Sequence, residues 1–490
     1  MTSHSHETID IAEAARKLLR FPSLRPGQEE AIRSLLEGRD TLLVQPTGSG
    51  KSAVYQIAGA LRDGSTIVVS PLIALQKDQA DSIDASRLDE TAIINSTLSA
   101  SQMREALQRI QEGKVEYIFL APEQLGREET MQRLRSARVS LIAIDEAHCI
   151  SQWGHDFRPD YLGLAHVIEE LGHPPTLAMT ATASSEVRQE IIARLGLRNP
   201  RVLVHGFDRP NISLRVDTFS TRGEKHEAVL RRVEFADKPG IIYVSTHKNA
   251  ESIAADLQAC GVDAVFYHGG LKAKQREEIQ NRFMNGDVPV IVATNAFGMG
   301  VDKPDIRFVY HADVSDSLDG YYQEVGRAGR DGMPAEAVLF YRPQDINAQQ
   351  YKTGGGNVDA HALETVASAL AHHRRPTSRD DLAKETALSG RKLSNIVHKL
   401  EEVGAARQLD SGKIQLARGR SLDAIAEAAA SQQQIQKDVR KRRLESMQGY
   451  AECRICRREF LLRYFGDDYS GPCGNCDRCE RAGIRPAKVA

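Results

Sequence analysis

No stretch of this sequence runs for ~18 apolar residues without interruption, so nothing in it reads as a membrane-spanning helix. The first residues, MTSHSHETIDIAEAARKLL, lack the basic start, apolar core and small-residue cleavage site of a secretory signal. The expectation is a cytoplasmic, nucleoid-associated protein. Cysteine is scarce, and seven in 490 residues cannot staple a chain of this length into a disulfide scaffold. Short-period repeats are missing, as are low-complexity tracts beyond the triple glycine of YKTGGGN (351–357), which argues against solenoids and fibrous arrays. Net charge is also small, at −2. It hides an asymmetry: residues 352–490 carry 25 Lys and Arg against 18 Asp and Glu, and the remainder 39 against 48. A basic C-terminal third suits an attachment that binds a polyanion.

What is present is ordinary globular material, 41% hydrophobic and 27% charged, enough for several cores. Between residues 40 and 180, TLLVQ, STIVVS, EYIFLA, SLIAID and TLAMTAT read as buried strands, with amphipathic stretches such as SASQMREALQRIQEG between them. Alternation of this kind predicts a parallel sheet covered on both faces. The pattern restarts after HGFDRPNISL with PGIIYVS, VDAVFYH, VPVIVAT, IRFVYHAD and AEAVLFY, so a second α/β domain follows a hinge near residues 205–225. Beyond the triple glycine, three helical segments (HALETVASALAHHR, TSRDDLAKETA and SGRKLSNIVHKLEEVG) and a hairpin in AARQLDSGKIQLA suggest a winged helix-turn-helix. Serines are expected to cap the second and third of these helices. SLDAIAEAAASQQQIQKDVRKRRLESMQGYAE reads as one long helix with a cationic run, Lys437–Arg443. Isolated Cys149 and Cys260 read as small buried hydrophobes.

LLVQPTGSGKS sets a glycine-rich turn between a strand and a helix. Gln45 stands where a phosphate loop commonly begins with glycine, but Thr47, Gly48, Ser49, Gly50, Lys51 and Ser52 keep the pattern. Backbone amides there can close around phosphates, Lys51 can neutralise them, and the Ser52 hydroxyl can reach Mg²⁺. In LIAIDEAH, Asp145 and Glu146 end an apolar strand, where adjacent acids have no structural purpose. Asp145 would hold Mg²⁺ and Glu146 would orient the attacking water. Together the two motifs point to an ATPase. YYQEVGRAGRDG offers Gln323, Arg327 and Arg330 from the second domain, and arginines delivered across a cleft can stabilise charge on a transferring phosphoryl group. Five cysteines crowd residues 453–479, and their spacing leaves two sets of four open: Cys453 and Cys456 with Cys473 and Cys476, or the last four.

These motifs, in this order, resemble a superfamily 2 helicase, specifically the RecQ family of DNA helicases. The resemblance implies two tandem RecA-like domains and a helical Cys₄ zinc module; with the winged-helix-like domain read from the residues between them, the boundaries fall at 1–206, 207–350, 356–420 and 421–490. FPSLRPGQEEAI resembles an adenine-recognition motif, which would set Phe21, Arg25 and Gln28 on the nucleotide. SQWGHDFRPDY resembles the aromatic-rich loop that couples single-stranded DNA to hydrolysis. Trp153, the one tryptophan of the chain, Phe157 and Arg158 would meet bases there by stacking and cation–π contact. By the same match Thr294 and Asn295 contact DNA, Asp302 acts near the nucleotide, and the zinc ligands are Cys456, Cys473, Cys476 and Cys479, leaving Cys453 spare.

The implied protein uses ATP, Mg²⁺ and Zn²⁺, moves 3′→5′ on single-stranded DNA and unwinds duplex at single-strand junctions in repair or recombination. Its implied partners are DNA and single-strand-binding or recombination proteins, and its state monomeric. The winged-helix-like segment lies before the zinc module, whereas the family's usual order is the reverse, so a strand-separating wing cannot be carried over. Other functions fit parts of the pattern. They are an RNA- or DNA-dependent ATPase that translocates without unwinding, and a zinc-bearing winged-helix regulator that uses nucleotide as a switch.

Overall fold

The computed structural model describes residues 10–485 except 20–22, 47, 72–75, 78, 82, 84–90, 152–156, 299–300, 302, 347–359, 374, 410–412 and 418–420. The described chain forms two compact units, Met1–Asp345 with Met447–Ala490, and Ile346–Ser446.

In the first unit, short strands alternate with helices. Seven strands build the first sheet: β1 (Thr41–Val44), β2 (Ser65–Val69), β3 (Thr91–Ile94), β4 (Tyr117–Leu120), β5 (Val139–Ile144), β6 (Thr176–Thr180) and β7 (Arg201–Val204). Their order is β3-β4-β2-β5-β6-β1-β7, with every pairing parallel. A second parallel sheet orders β10 (Ala264–Tyr267), β11 (Val290–Ala293), β9 (Gly240–Tyr243), β12 (Phe308–His311), β13 (Ala335–Tyr341) and β8 (Ile212–Thr218). Central strands such as β1, β2, β4 and β9 are buried at every residue, as strands covered on both faces must be. The expected pair of parallel α/β sheets is therefore present.

β3, β7 and β8 were not among the strands expected from the sequence. All three are sheet edges, where burial is incomplete and the apolar run is broken: β8 alternates buried and half-buried residues over Ile212–Val216. Seven residues of the expected hinge, Ile212–Thr218, are thus strand. Cys149 is buried as expected, but Cys260 is exposed, because it caps the solvent end of helix His247–Ala259.

β1, β5 and β6 are neighbours, with β6 between the other two, and their C-terminal ends run together: Val44 pairs with Thr180, and Ile144 with Ala178. This brings the segments after the three strands to one edge of the sheet, where parallel α/β folds carry ligands.

The cysteine-bearing segment seals the exposed edge of β8, since Asn475 accepts the Leu214 amide at 3.2 Å. Phe465 stacks on Phe207, with ring centroids 4.7 Å apart. Tyr464 donates to Asp319 at 2.6 Å, and Tyr341 to Glu452 at 2.6 Å. Arg457 and Asp477, each 1% exposed, hold the segment together by Nε–Oδ1 and Nη2–Oδ2 contacts of 2.9 and 3.2 Å. Arg457 also donates to the carbonyls of Tyr450 and Ala451, fastening the end of helix Leu422–Glu452.

In the second unit, helices Ala360–His372, Arg379–Thr386 and Gly390–Glu402 enclose one apolar core with Leu382, Ile396, Leu400 and Ile414. Ser378 and Ser389 accept the amides of Asp381 and Lys392, the expected caps. β14 (Ala406–Gln408) pairs antiparallel with β15 (Ile414–Leu416), and Thr377 bridges to Ile414. The triple-glycine break lies outside the described residues.

Because Arg457 and Asp477 leave each other's charge uncompensated when separated, Arg457→Met or Asp477→Leu alone is expected to cost about 3–5 kcal/mol. The double substitution, which removes both charges, is expected to recover part of that loss. Chemical denaturation of the four proteins checks this. Single variants as stable as the wild type would show that the pair does not hold the segment.

Candidate active site and metal centre

β1 leads into the glycine turn, and helix Lys51–Ala60 leaves it. Gly48 and Gly50 take φ of 80° and 83°, left-handed values that favour glycine. A Cβ on Gly50 would also lie 2.8 Å from the Gln28 side chain. Lys51 Nζ donates to the carbonyls of Gln45 and Pro46 at 2.8 and 3.1 Å, so the turn holds its own lysine. Burial lowers the Lys51 pKa, against the opposing pull of Glu146 and Asp145, and Arg330 lowers it further. A phosphate in this turn would favour the charged lysine. Ser52 Oγ accepts from Gln79 at 3.2 Å.

Arg25 and Gln28 close the turn from outside. Gln28 Nε2 donates to Gly50 O at 2.9 Å and accepts the Arg25 amide through Oε1 at 2.8 Å, while Arg25 Nη1 donates to Gly48 O. Gln45 Nε2 reaches Pro26 O at 2.9 Å, and its Oε1 accepts from Ser49 Oγ at 3.3 Å. The residue that replaces the usual glycine thus ties the Arg25–Gln28 segment to the turn. Phe21 and Thr47 lie outside the described residues.

Asp145 follows β5 and is 8% exposed. Burial, then the neighbouring Glu146 charge, pushes its pKa up to about 7, with Lys51 opposing. Glu146 adopts φ 48°, a left-handed conformation rare outside glycine. Strain of this kind persists where surrounding structure enforces it. Here Tyr161 donates to Asp145 O at 2.9 Å, and the Asp145 carboxylate accepts the Glu146 amide at 3.0 Å. His148 Nδ1 lies 3.3 Å from Glu146 Oε2 and 2.8 Å from Thr180 Oγ1, linking the acids to the end of β6.

Arg330 comes from the second sheet's side of the unit, and a Cβ on Gly48 would lie 3.4 Å from its Cδ. Its Nη1 donates to Val301 O at 3.0 Å. Arg327 is 3% exposed, beside Gly298. Gln323 is half-buried on helix Leu318–Val325. Asp302 lies outside the described residues. Among the described residues of this set, Arg330 is the one in contact distance of the phosphate turn at Gly48.

Trp153 is likewise outside the described residues. Arg158, after the half-buried Phe157, donates to Pro71 O at 3.2 Å, joining the segment after DEAH to the residues that follow β2. Thr294 is buried and Asn295 exposed, just after β11. His268 is buried, 3.1 Å from Glu251 and stacked on His247, which is the packing of a structural histidine.

Cys456, Cys473, Cys476 and Cys479 bring their sulfurs within 4.8 Å of one another. The Cys456–Cys476 and Cys473–Cys479 separations are 3.9 and 4.0 Å. Zinc–sulfur bonds of ~2.3 Å set tetrahedral sulfur–sulfur edges of ~3.8 Å, so the donor set fits zinc. Cys453 is not in the cluster; its sulfur accepts from Arg457 at 3.3 Å. The spacing alone left Cys453 as an open alternative, and the buried Arg457 is what occupies it.

Two outcomes are expected. Asp145 in the folded protein holds a proton that the unfolded chain releases above about pH 4. Ligand-free stability therefore falls as pH rises from 4 through 7, and Asp145→Asn, which resembles the neutral acid, flattens that dependence. Melting curves from pH 5 to 8 check the sign. Separately, Cys476→Ser is expected to abolish bound zinc and Cys453→Ser to retain it, read by elemental analysis of the purified proteins.

The sequence matches three families: DEAD/DEAH box helicase over residues 25–191, helicase conserved C-terminal domain over 224–332, and RecQ zinc-binding over 416–480. It is 36% identical over 471 residues to the probable ATP-dependent DNA helicase RecS of Bacillus subtilis, covering 95% of this chain and 90% of that one. It is 37% identical over 460 residues to the ATP-dependent DNA helicase RecQ of Pasteurella multocida, covering 94% of this chain and 60% of that protein. The fold is similar to that of the Mycobacterium smegmatis helicase Lhr bound to ssDNA and AMP-PNP, with a TM-score of 0.53, 21% identity, and coverage of 84% of this chain and 60% of that one. With two parallel sheets, a phosphate turn facing DEAH and a terminal four-cysteine cluster, the chain belongs to the RecQ family of DNA helicases.

Proposed function

We propose that this protein is an ATP-dependent DNA helicase that moves 3′→5′ along one strand and opens duplex where single and double strands meet, in DNA repair or recombination. The observation that carries this reading is the approach of Arg330 to Gly48, since it brings a cation from the second sheet's domain onto the phosphate turn of the first. Hydrolysis then requires the two domains to be together, and each turnover can drive them apart.

Gly48, Ser49, Gly50 and Lys51, with Thr47, bind the phosphates of ATP, while Phe21, Arg25 and Gln28 receive the base. Ser52 and Asp145 would hold Mg²⁺, which would neutralise phosphate charge when bound. Glu146, held in its strained conformation, orients the attacking water. Gln323, Arg327 and Arg330 stabilise charge developing on the transferring phosphoryl group, and Asp302 acts beside the nucleotide. Trp153, Phe157 and Arg158, with Thr294 and Asn295, contact single-stranded DNA. Arg158 supports this role because its bond to Pro71 fixes it beside DEAH, at the end of β2, which pairs with β5. Cys456, Cys473, Cys476 and Cys479 would hold a structural zinc, which would brace the segment that bonds to β8 through Asn475. The protein works as a monomer in the nucleoid, with single-strand-binding and recombination proteins as partners.

Steady-state ATP hydrolysis with and without single-stranded DNA, beside forked-duplex unwinding, tests the reading. Strong stimulation by DNA over RNA, unwinding, and loss of both in Lys51→Ala are expected. DNA-stimulated turnover without strand separation would make the protein a translocase. An absence of stimulation would sink the DNA contacts assigned around Trp153.

A further inference from the structure

We infer that Arg209 is a positioning residue for ATP hydrolysis, holding in place the loop that carries Arg327 and Arg330. This rests on the reading that those two arginines act on the transferring phosphoryl group. Arg209 lies between β7 and β8, in sequence that reads as a plain linker. Its guanidinium donates to three carbonyls of the arginine-bearing loop: Gly326 at 3.1 Å, Ala328 at 2.8 Å and Gly329 at 2.9 Å. These are the carbonyl just before Arg327, the one just after it and the one just before Arg330. A single planar fork therefore fixes the peptide groups that aim both side chains.

The neighbours reinforce this grip. Asn211 Nδ2 donates to Gly329 O at 2.8 Å and to Met333 O at 2.9 Å. Gly329 has φ 52°, and a Cβ there would lie 2.5 Å from Asn211 Nδ2 and 2.8 Å from Met333 O. The loop is thus folded tightly around the linker side chains, and only glycine fits at its centre. Arg209 is itself held from behind. Arg458, two residues past Cys456, donates through Nη2 to Arg209 O at 2.8 Å and Ile212 O at 2.7 Å, and its Nε lies 3.2 Å from Asp208. Phe207, stacked on Phe465, also accepts from Tyr322 of helix Leu318–Val325. A chain of contacts therefore runs from the cysteine-bearing segment through Arg458 and Arg209 to the arginine loop.

A lysine could supply the charge but not the fork, because three rotatable donors on one nitrogen do not span carbonyls on successive peptides. A displacement of about 1 Å at a catalytic group can cost ~100-fold in rate. The structural alternative is that Arg209 merely fastens the linker to the second domain. That would change stability and nucleotide binding together and would not act through Arg327.

The test uses the full chain with saturating single-stranded DNA. Arg209→Gln and Arg209→Lys are each expected to lower kcat by about 10- to 100-fold. The KM for ATP and the affinity for a fluorescent ADP analogue should stay within about twofold, with the melting temperature and zinc content retained. Arg458→Gln is expected to act in the same direction and more weakly. Combined with Arg327→Ala and Arg330→Ala together, Arg209→Gln should add no further loss, because it acts through those two side chains. An unchanged kcat in Arg209→Lys or Arg209→Gln, with Arg327→Ala inactive, overturns this inference and leaves the roles of the two arginines standing. A parallel fall in kcat, nucleotide affinity and melting temperature also overturns it, in favour of the structural alternative. Full activity in both Arg327→Ala and Arg330→Ala overturns the reading beneath it, whatever Arg209 does.

Discussion

Burial of charge at one edge of the first sheet is the constraint on which the site depends. Lys51, Asp145, Glu146 and Arg330 meet where β1 and β5 end, in surroundings that disfavour both an isolated ammonium and an isolated carboxylate. The ligand-free site answers by folding Lys51 onto its own turn and by raising the Asp145 pKa. Nucleotide and Mg²⁺ supply the missing charges, so binding them relieves the cost of bringing these groups together. A site that is electrostatically incomplete without its substrate is well suited to coupling nucleotide occupancy to domain position.

The cysteine-bearing segment has a related design at a different place. Its Arg457–Asp477 pair is fully buried and satisfied on several sides, including by carbonyls at the end of helix Leu422–Glu452. Four thiols within bonding distance of a common centre would otherwise repel as thiolates, which is why the donor set calls for a divalent cation. The segment then presents Asn475 to the edge of β8 and Arg458 to the linker. A metal module far from the nucleotide in sequence is therefore a close structural neighbour of the loop that carries Arg327 and Arg330.

Much of this was legible from residues alone. Nine of the ten visible strands are central in their parallel sheets and read as continuous apolar runs, as does the edge strand β10; Ser378 and Ser389 announced their helices because capping is local. β3, β7 and β8 escaped because edges bury one face or less, and their composition blends into loops. Cys260 was misjudged for a similar reason: isolation in sequence says nothing about which side of a helix end a residue takes.

The sequence by itself determined the chemistry of the chain. A glycine turn before a lysine, two acids at a strand end and a cluster of thiols each depend on a few neighbouring residues, and their local geometry follows from their identity. Only the tertiary structure decided which of these groups meet. The bridge made by Gln45, the contact of Arg457 with the Cys453 sulfur and the grip of Arg209 on its loop all join residues that the sequence does not mark as partners. Long-range contacts are set by sheet order and packing, which no local pattern specifies.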